Sequence, residues 1–205
     1  MHTSAIVLAG GFSSRFGQDK GLVRLADKPL VRYVLDAVEN IVDEKIVVVS
    51  SKVQAENFAK VVGSNVNVFI DADDVRCPLV GVLTGFEEAC GEYGLVLPCD
   101  TPFVSRDVLL LLLHLCVGRN AVIPRWPNGY IEPLHAVYCA KSALEVGRSV
   151  LGEGKLNMRS MVDALRGVRY VSTLVLEQLD PDLRTFFNVN SLLDLKKAEV
   201  MLRHV

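Results

Sequence analysis

The 205-residue sequence lacks the charge pattern of a nucleic-acid-binding protein. It has no run of five or more like charges, and its 22 basic residues nearly balance its 24 acidic ones, leaving a formal charge of −2. Proteins that bind duplex nucleic acid depend on basic clusters, so nucleic acid is excluded as an expected partner. Apolar residues make up 50% of the chain, which is ordinary for a globular protein with a sizeable core.

The sequence also lacks paired cysteines and long apolar runs. Its five cysteines lie far apart, with no CxxC pair, as is typical of reduced thiols in a cytoplasmic protein. The first residues carry no basic segment, and the longest apolar run, Val108 to Val117, is interrupted by His114. A bilayer requires about 20 apolar residues, so we predict a cytoplasmic protein that spans no membrane.

The N-terminal half repeats a pattern of short β-branched strand, polar loop and helical periodicity. Strands are predicted at 5–8, 46–49, 66–70 and 95–97, and helices near 30–38, 53–62 and 79–90. This alternation is typical of βαβ units. It predicts a three-layer α/β/α sandwich around a Rossmann-like, mainly parallel, twisted sheet, and the length predicts one domain over 1–205.

The C-terminal half is less regular. Ser105 is predicted to cap a buried helix over 106–117 that includes five consecutive leucines. Further strands are predicted at 121–123, 136–139 and 168–175, with helices near 141–150, 157–165 and 191–203.

A glycine-rich loop follows the first predicted strand. It reads LAGGFSSRFGQDK from Leu8 to Lys20 and places three glycines, Arg15 and Lys20 ahead of a helix. Glycines let backbone N–H groups approach an anion, and the two cations can neutralise phosphate charge. The spacing is neither that of a Walker loop nor GxGxxG. Taken alone, the loop is equally compatible with a surface loop that binds nothing.

A carboxylate is predicted at the end of the fourth strand, where the sequence reads Pro98-Cys99-Asp100-Thr101-Pro102. Ligands of open parallel sheets bind outside the strand ends where the strand order reverses. With a strand order of 3-2-1-4, Asp100 would face phosphates held by the first loop. A carboxylate beside polyphosphate suggests Mg²⁺. The alternative is that Asp100 caps a turn ahead of Pro102.

Five segments resemble, in the same order, those of the molybdenum cofactor guanylyltransferases. This family belongs to the nucleotidyltransferases of nucleotide-diphospho-sugar type. The segments are LAGGFSSRFGQDK at 8–20, CPLVGVLTG at 77–85, PCDTPF at 98–103, EPLHAVY at 132–138 and FFNVNSLLDL at 186–195. The first is specific to the superfamily, whereas EPLHAVY and the NVN triplet point to the molybdopterin branch. The sequence departs from the family pattern at Phe16, where methionine is commoner, and at Ser50 and Ser51, where an asparagine is expected.

The resemblance implies transfer of GMP from GTP to the terminal phosphate of molybdopterin, with or without its molybdenum, and release of pyrophosphate. It implies that 1–105 is the GTP-binding half and 106–205 the acceptor-binding half. The product would pass to molybdoenzymes or their chaperones.

The resemblance also implies roles for individual residues. The residues implied on the nucleotide side are Leu8, Ala9, Gly10 and Gly11 for guanine and ribose, Lys20 for the phosphates, Asp71 near the ribose, Gly81 against the base and Asp100 for Mg²⁺. Arg15 is expected to assist Lys20 because of its charge in the same loop. Asn188 and Asn190 would lie on the acceptor side.

Four further residues are candidates for holding the acceptor. Glu132 and His135 flank Pro133 in a loop, and Lys155 and Arg159 cluster where an anionic phosphate could be received. The alternatives are a structural histidine for His135 and a solvated helix start for the two cations.

Three other functions remain open at this stage. The chain could use CTP with molybdopterin, or GTP with another phosphorylated acceptor such as a corrinoid precursor. It could also be a nucleotide-binding regulatory protein without catalysis. Gly10 argues against CTP because the cytidylyl branch usually carries LAAG. Lys20 and Asp100 argue for catalysis.

Overall fold

The computed structural model describes residues 2–13, 16–71, 75 and 77–203, which form an α/β fold around one large sheet. The strands of this sheet are β1 (Thr3–Leu8), β2 (Glu44–Val49), β3 (Asn67–Ile70), β4 (Tyr93–Pro98), β5 (Ala121–Arg125), β6 (Ala136–Cys139) and β7 (Val168–Ser172). The helices are α1 (Leu30–Ala37), α2 (Lys52–Val62), α3 (Pro78–Glu88), α4 (Arg106–Leu115), α5 (Ala140–Gly152), α6 (Met158–Ala164), α7 (Thr173–Leu176) and α8 (Leu192–Leu202).

The strand order is β7-β5-β6-β4-β1-β2-β3, so the first four strands have the 3-2-1-4 order on which the expected position of Asp100 depends. β1 pairs in parallel with β2 on one side and β4 on the other, with Leu8 opposite both Val48 and Pro98. β6 alone runs against its neighbours β4 and β5. The chain therefore crosses from one side of β1 to the other between β3 and β4, which leaves a crevice at the strand ends.

Helices cover both faces of the sheet. Alternate strand residues such as Val7 and Val47 pack with α1, α2 and α4, whereas Ile6 and Ile46 pack with α3, α5 and α6. This alternation follows from the two-residue period of a strand. The predicted three-layer sandwich with a mainly parallel sheet is confirmed.

The elements after Asp100 differ from prediction in two places. α4 ends at Leu115 rather than 117, and Leu110 is 42% exposed although Leu109 and Leu112 are fully buried. The segment predicted as a strand over 168–175 turns helical at Thr173, because the Ser172 side chain accepts a hydrogen bond from the Leu174 amide and caps α7. Ser105 caps α4 as predicted, accepting from the Val108 amide.

The polar loop after β1 contains two short hairpins that periodicity did not predict. Phe12–Ser13 pairs with Gln18–Asp19, and Arg24–Leu25 pairs with Lys28–Pro29. Two-residue strands are too short to show alternation. Behind the second hairpin, a small apolar cluster joins it to the C-terminal segment: its buried members are Val23, Leu25, Leu30, Val189 and Ala198. No helix in the described part of the chain is long and apolar enough to span a bilayer.

Candidate active site

A cleft of about 340 Å³ lies at the carboxyl ends of β1, β2 and β4; we call it the sheet-end cleft. Seven residues singled out from the sequence line it: Leu8, Gly10, Gly11, Lys20, Asp71, Gly81 and Asp100. They come from four separate stretches of sequence, and the strand order brings them together. The volume is within the range of small-molecule sites.

A cation, a carboxylate and an amide meet at one end of the sheet-end cleft. The Lys20 ammonium donates to Asn190 Oδ1 at 2.6 Å and lies 3.4 Å from Asp100 Oδ2. The Val189 amide donates to the Asp100 carbonyl at 2.9 Å, which fixes the segment before α8 against the end of β4. Asn190 was expected on the acceptor side, and the structure places it directly against the lysine expected to bind the phosphates.

Asp100 is buried at the end of β4, beside the Lys20 ammonium. Its side chain is only 10% exposed, and burial raises the pKa of its carboxyl although the Lys20 ammonium opposes that shift. A divalent cation would stabilise the ionised carboxylate, so the residues present fit such a cation bound through one carboxylate and substrate phosphate oxygens. Among the described residues, no three His, Cys, Asp or Glu side chains could hold a metal by themselves. Substrate oxygens are therefore required to complete such a site.

At Gly10 the backbone of the first loop packs closely against the Ser50 side chain. A Cβ on Gly10 would lie 2.1 Å from the Ser50 Oγ, which donates a hydrogen bond to the Gly10 carbonyl at 3.0 Å. Ala9 is fully buried beneath the cleft, and its amide donates to the Val48 carbonyl. Ala9 was expected to line the cleft, but it is buried and does not line it. Arg15 lies outside the described residues.

Asp71 and Gly81 lie close together in the wall of the sheet-end cleft. Asp71 follows β3, its amide donates to the Val49 carbonyl at 2.7 Å, and the Thr84 hydroxyl donates to its Oδ1 at 3.4 Å. A Cβ on Gly81 would lie 3.4 Å from Leu8 and 3.8 Å from Asp71 Oδ2. A flat ring placed over Gly81 would therefore meet both an apolar side chain and a carboxylate.

Glu132 and His135 belong to one cluster beside the sheet-end cleft, in which Glu132 is half-buried and His135 is buried. Trp126 Nε1 donates to Glu132 Oε1 at 2.7 Å, and burial raises the pKa of this carboxyl. The His135 ring is 2% exposed, stacks edge-on against Phe186 at 5.2 Å between ring centres, and has no hydrogen-bond partner among the described residues. Burial lowers its pKa to about 3. His135 is therefore a neutral, packed side chain. The alternative of a satisfied structural histidine holds for its packing but not for its hydrogen bonds.

The remaining acceptor candidates are not gathered into one site. Lys155 pairs with Glu153 at 2.7 Å, and Arg159 pairs with Asp163 at 3.2 Å one helical turn away. All four side chains are more than half exposed. Asn188 is half-buried, and its Nδ2 donates to the Phe186 carbonyl at 3.1 Å.

The sheet-end cleft is also lined by eight residues that were not site candidates from the sequence, namely Val48, Val49, Ser50, Cys77, Pro78, Pro98, Cys99 and Leu134. Ser50 was named only as a departure from a family pattern. Its position directly after β2 was a usable signal, because the ends of adjacent parallel strands share one edge of the sheet. Burial raises the pKa of the Cys99 thiol, so it remains protonated.

Comparison with known proteins agrees with this geometry. The family described as "MobA-like NTP transferase domain" matches residues 5–168. A "Probable molybdenum cofactor guanylyltransferase" of Methanosarcina acetivorans is 34% identical over 199 residues, covering 94% of this chain and 88% of the relative. A "Molybdenum cofactor guanylyltransferase" of Desulfosudis oleivorans is 32% identical over 202 residues, covering 98% and 96%.

Solved structures share the architecture. The "Molybdopterin-guanine dinucleotide biosynthesis protein A" of Archaeoglobus fulgidus superposes with a TM-score of 0.83 at 26% identity, covering 98% of this chain and 100% of that one. The 2-C-methyl-D-erythritol 4-phosphate cytidylyltransferase of Thermus thermophilus has a TM-score of 0.70 at 19% identity, covering 99% and 100%. At that identity the second likeness concerns the fold alone.

Proposed function

The chain belongs to the MobA-like NTP transferase family, and on that premise we propose that it transfers GMP from GTP to the terminal phosphate of molybdopterin. Support for this substrate pair comes from relatives named molybdenum cofactor guanylyltransferase, which align over nearly the whole chain.

The observation that carries the proposal is the contact of Lys20 with both Asp100 and Asn190 at one end of the sheet-end cleft. Lys20 belongs to the loop expected to bind nucleotide phosphates. Asn190 belongs to the NVN triplet expected near the acceptor. The point where these three residues meet is thus the point where donor and acceptor phosphates would come together.

The reaction would be an in-line displacement at phosphorus. An oxygen of the acceptor phosphate attacks the α-phosphorus of GTP, the bond from that phosphorus to the β-phosphate bridging oxygen breaks, and pyrophosphate leaves with the electron pair. Charge grows on the departing pyrophosphate, and the Lys20 ammonium is placed to stabilise it. We assign Arg15 the same role and place guanine and ribose along Leu8, Gly10, Gly11, Asp71 and Gly81.

We propose Mg²⁺ as the cofactor, held by Asp100 and phosphate oxygens. When bound, it would neutralise phosphate charge near the reacting phosphorus. Asp100 itself orients the Lys20 ammonium, and Asn190 holds the same ammonium from the acceptor side.

No protein general base is required. A phosphate monoester has a second pKa of about 6, so near neutral pH the nucleophile is already a dianion. His135 does not fill that role, since its ring is buried and neutral with a pKa of about 3. We place Glu132 and Asn188 near the acceptor, and assign the exposed Lys155 and Arg159 only a long-range attraction for its negative charge.

The test is product identification. The purified chain is incubated with each of the four NTPs, Mg²⁺ and molybdopterin, and the nucleotide-linked product is identified by mass while pyrophosphate release is followed. We expect the GMP adduct and pyrophosphate in equal amounts. Efficient formation of a CMP adduct would replace the proposal with a cytidylyltransferase, and GTP binding without pyrophosphate release would indicate a regulatory protein.

A further inference from the structure

Helix α2 holds the loop residues on both sides of Lys20. Gln54 and Phe58 lie one turn apart on the same face of α2, and both are buried, at 8% and 0% exposure. Gln54 Nε2 donates to Asp19 Oδ1 at 2.6 Å. Phe58 packs so closely on Gly21 that a Cβ there would lie 2.8 Å from its ring. The residues before and after Lys20 are thus fixed to one rigid element.

The Gln54 amide bonds one donor and one acceptor, and these two partners determine its orientation. Its Oε1 accepts from the Ser50 amide at 2.8 Å, while its Nε2 donates to the Asp19 carboxylate. A backbone N–H can only donate and an ionised carboxylate can only accept. Only a side chain with an acceptor at one corner and a donor at the other satisfies both, so glutamine fits and glutamate does not.

Through Gln54, the two ends of the glycine loop are joined. Ser50 contacts the first end, since its Oγ donates to the Gly10 carbonyl at 3.0 Å. Asp19 belongs to the second end, directly before Lys20, whose own amide donates to the Gly11 carbonyl at 3.2 Å. A single buried amide therefore links the base of the loop to its lysine-bearing end.

We propose that Gln54 is a positioning residue: its bridge between Ser50 and Asp19 sets where the Lys20 ammonium lies relative to Asp100 and Asn190. The role rests on the proposed function, because it gives Lys20 its task in phosphate chemistry. Displacement of a catalytic group by about 1 Å can cost on the order of 100-fold in rate. Gln54 does not itself line the sheet-end cleft, so it acts through the loop and not on the nucleotide.

The experiment is a reciprocal exchange of amide and carboxylate. Gln54→Glu keeps the acceptor for Ser50 but sets a second carboxylate against Asp19. Adding Asp19→Asn restores one donor and one acceptor, because the side chain at position 19 now donates and the side chain at position 54 accepts. For Gln54→Glu we expect kcat to fall about 30-fold, with a smaller change in KM for GTP. For Asp19→Asn we expect kcat to fall about three-fold. In the double variant we expect kcat to return to within about three-fold of wild type.

Asn57→Asp is the matched control. It makes the same amide-to-carboxylate change one turn further along α2, beside the Lys60 ammonium at 3.4 Å. Thermal unfolding is measured for every variant to separate loss of positioning from loss of fold. Wild-type kcat in Gln54→Glu, an equal loss in Asn57→Asp, or a double variant no better than Gln54→Glu would each overturn the proposal.

A second readout separates this inference from the proposed function. Inorganic tripolyphosphate probes the phosphate subsite without a base, and its affinity is measured by calorimetry in the same series. We expect its Kd to rise about ten-fold in Gln54→Glu and to recover in the double variant. If wild type makes no GMP adduct, the proposed function fails while this series still reports on Gln54. A Kd unchanged by Gln54→Glu would overturn the role of Gln54 alone.

Discussion

The sheet-end cleft and the loops beyond β5 differ in how far along the chain their polar side chains find partners. In the cleft, Lys20 contacts residues 80 and 170 positions away. Beyond β5, Glu132 bonds a residue six positions away, Lys155 one two positions away and Arg159 one four positions away.

This contrast shows which part of the fold brings polar side chains of distant segments together. Strand ends on one edge of a parallel sheet gather residues from distant positions, so a polar group there meets groups of other segments. Glu132, Lys155 and Arg159, which lie in loops or near a helix start, instead find their partners among near neighbours in sequence. The predictions below challenge that division, starting with the largest expected effect.

The sharpest comparison sets Asp100→Asn against Glu132→Gln. Both carboxyls have a pKa raised by burial, and both changes replace a carboxylate by an isosteric amide. We expect Asp100→Asn to lower kcat by about 100-fold to 1,000-fold, because it removes charge at the reacting phosphates. We expect Glu132→Gln to leave kcat nearly unchanged and to raise KM for the acceptor by less than about ten-fold.

Steady-state kinetics with both substrates varied measures this pair, with thermal unfolding as the control. Neither amide is expected to destabilise the fold, since a buried carboxylate is itself costly. Equal kcat losses in the two variants would remove the proposed division between the regions.

Gly10→Ala tests the close packing within the cleft. The new methyl would overlap the Ser50 hydroxyl, which must rotate away and give up its bond to the Gly10 carbonyl. We expect kcat/KM for GTP to fall about ten-fold, consistent with losing one hydrogen bond and shifting the loop. Adding Ser50→Ala removes the overlapping atom and should recover the part of the loss that comes from shifting the loop, while the part that comes from the hydrogen bond to the Gly10 carbonyl remains. If the double variant is no better than Gly10→Ala, the overlap is not the cause.

His135→Phe tests whether the buried imidazole is structural. The folded pKa of about 3 lies below the usual 6.5, so the unfolded chain binds the extra proton between these values. Stability should therefore fall as the pH drops from about 6.5 towards 3, by up to about 1.4 kcal/mol per unit. The phenylalanine variant should lack this component. The fall of kcat/KM at acid pH (its acid limb), which we attribute to protonation of the acceptor phosphate, should remain.

Urea unfolding at several pH values, compared between variant and wild type, isolates the contribution of His135. If the two stability curves run parallel, the imidazole is not buried neutral in solution. Loss of the acid limb would instead make His135 a general base.

The smallest effect is expected at the exposed cations. Lys155→Ala and Arg159→Ala each remove a solvated ion pair, which is worth little in water. We expect KM for the acceptor to rise less than about three-fold at low salt, and the rise to vanish at high salt as the charges are screened. A ten-fold rise that persists in high salt would place these side chains in direct contact with the acceptor.

The sequence predicted the nucleotide-side cleft better than the acceptor side for a physical reason. Periodicity identified β1 and β4, and the rule for strand ends then placed Lys20 and Asp100 near each other. The same rule did not apply to Glu132 or Arg159, which lie in loops and helix starts whose partners depend on local turns. Motif resemblance alone selected Asn190, since no periodicity relates it to Lys20.

The prediction of the fold is correct where the hydrophobic pattern is long and fails where the pattern is short. The first four strands follow from β-branched runs and βαβ alternation, whereas their order comes from the structure. The two hairpins between β1 and α1 have strands of two residues, which carry no readable period. Gln54 was also missed, since a polar residue on a helix is ordinarily expected to face solvent, and its burial depends on Asp19 and Ser50.

The contact between Lys20 and Asn190 also bears on the order in which the molecule matures. During synthesis, the first four strands leave the ribosome well before Asn190 does, and they can pair as soon as Pro98 is available. Closing a loop of 170 residues costs only about 0.6 kcal/mol more than closing one half as long. Timing, more than entropy, therefore delays the final contact. We therefore expect a newly made chain to pair β1 to β4 before its site is complete, so that enzymatic competence comes late in its folding.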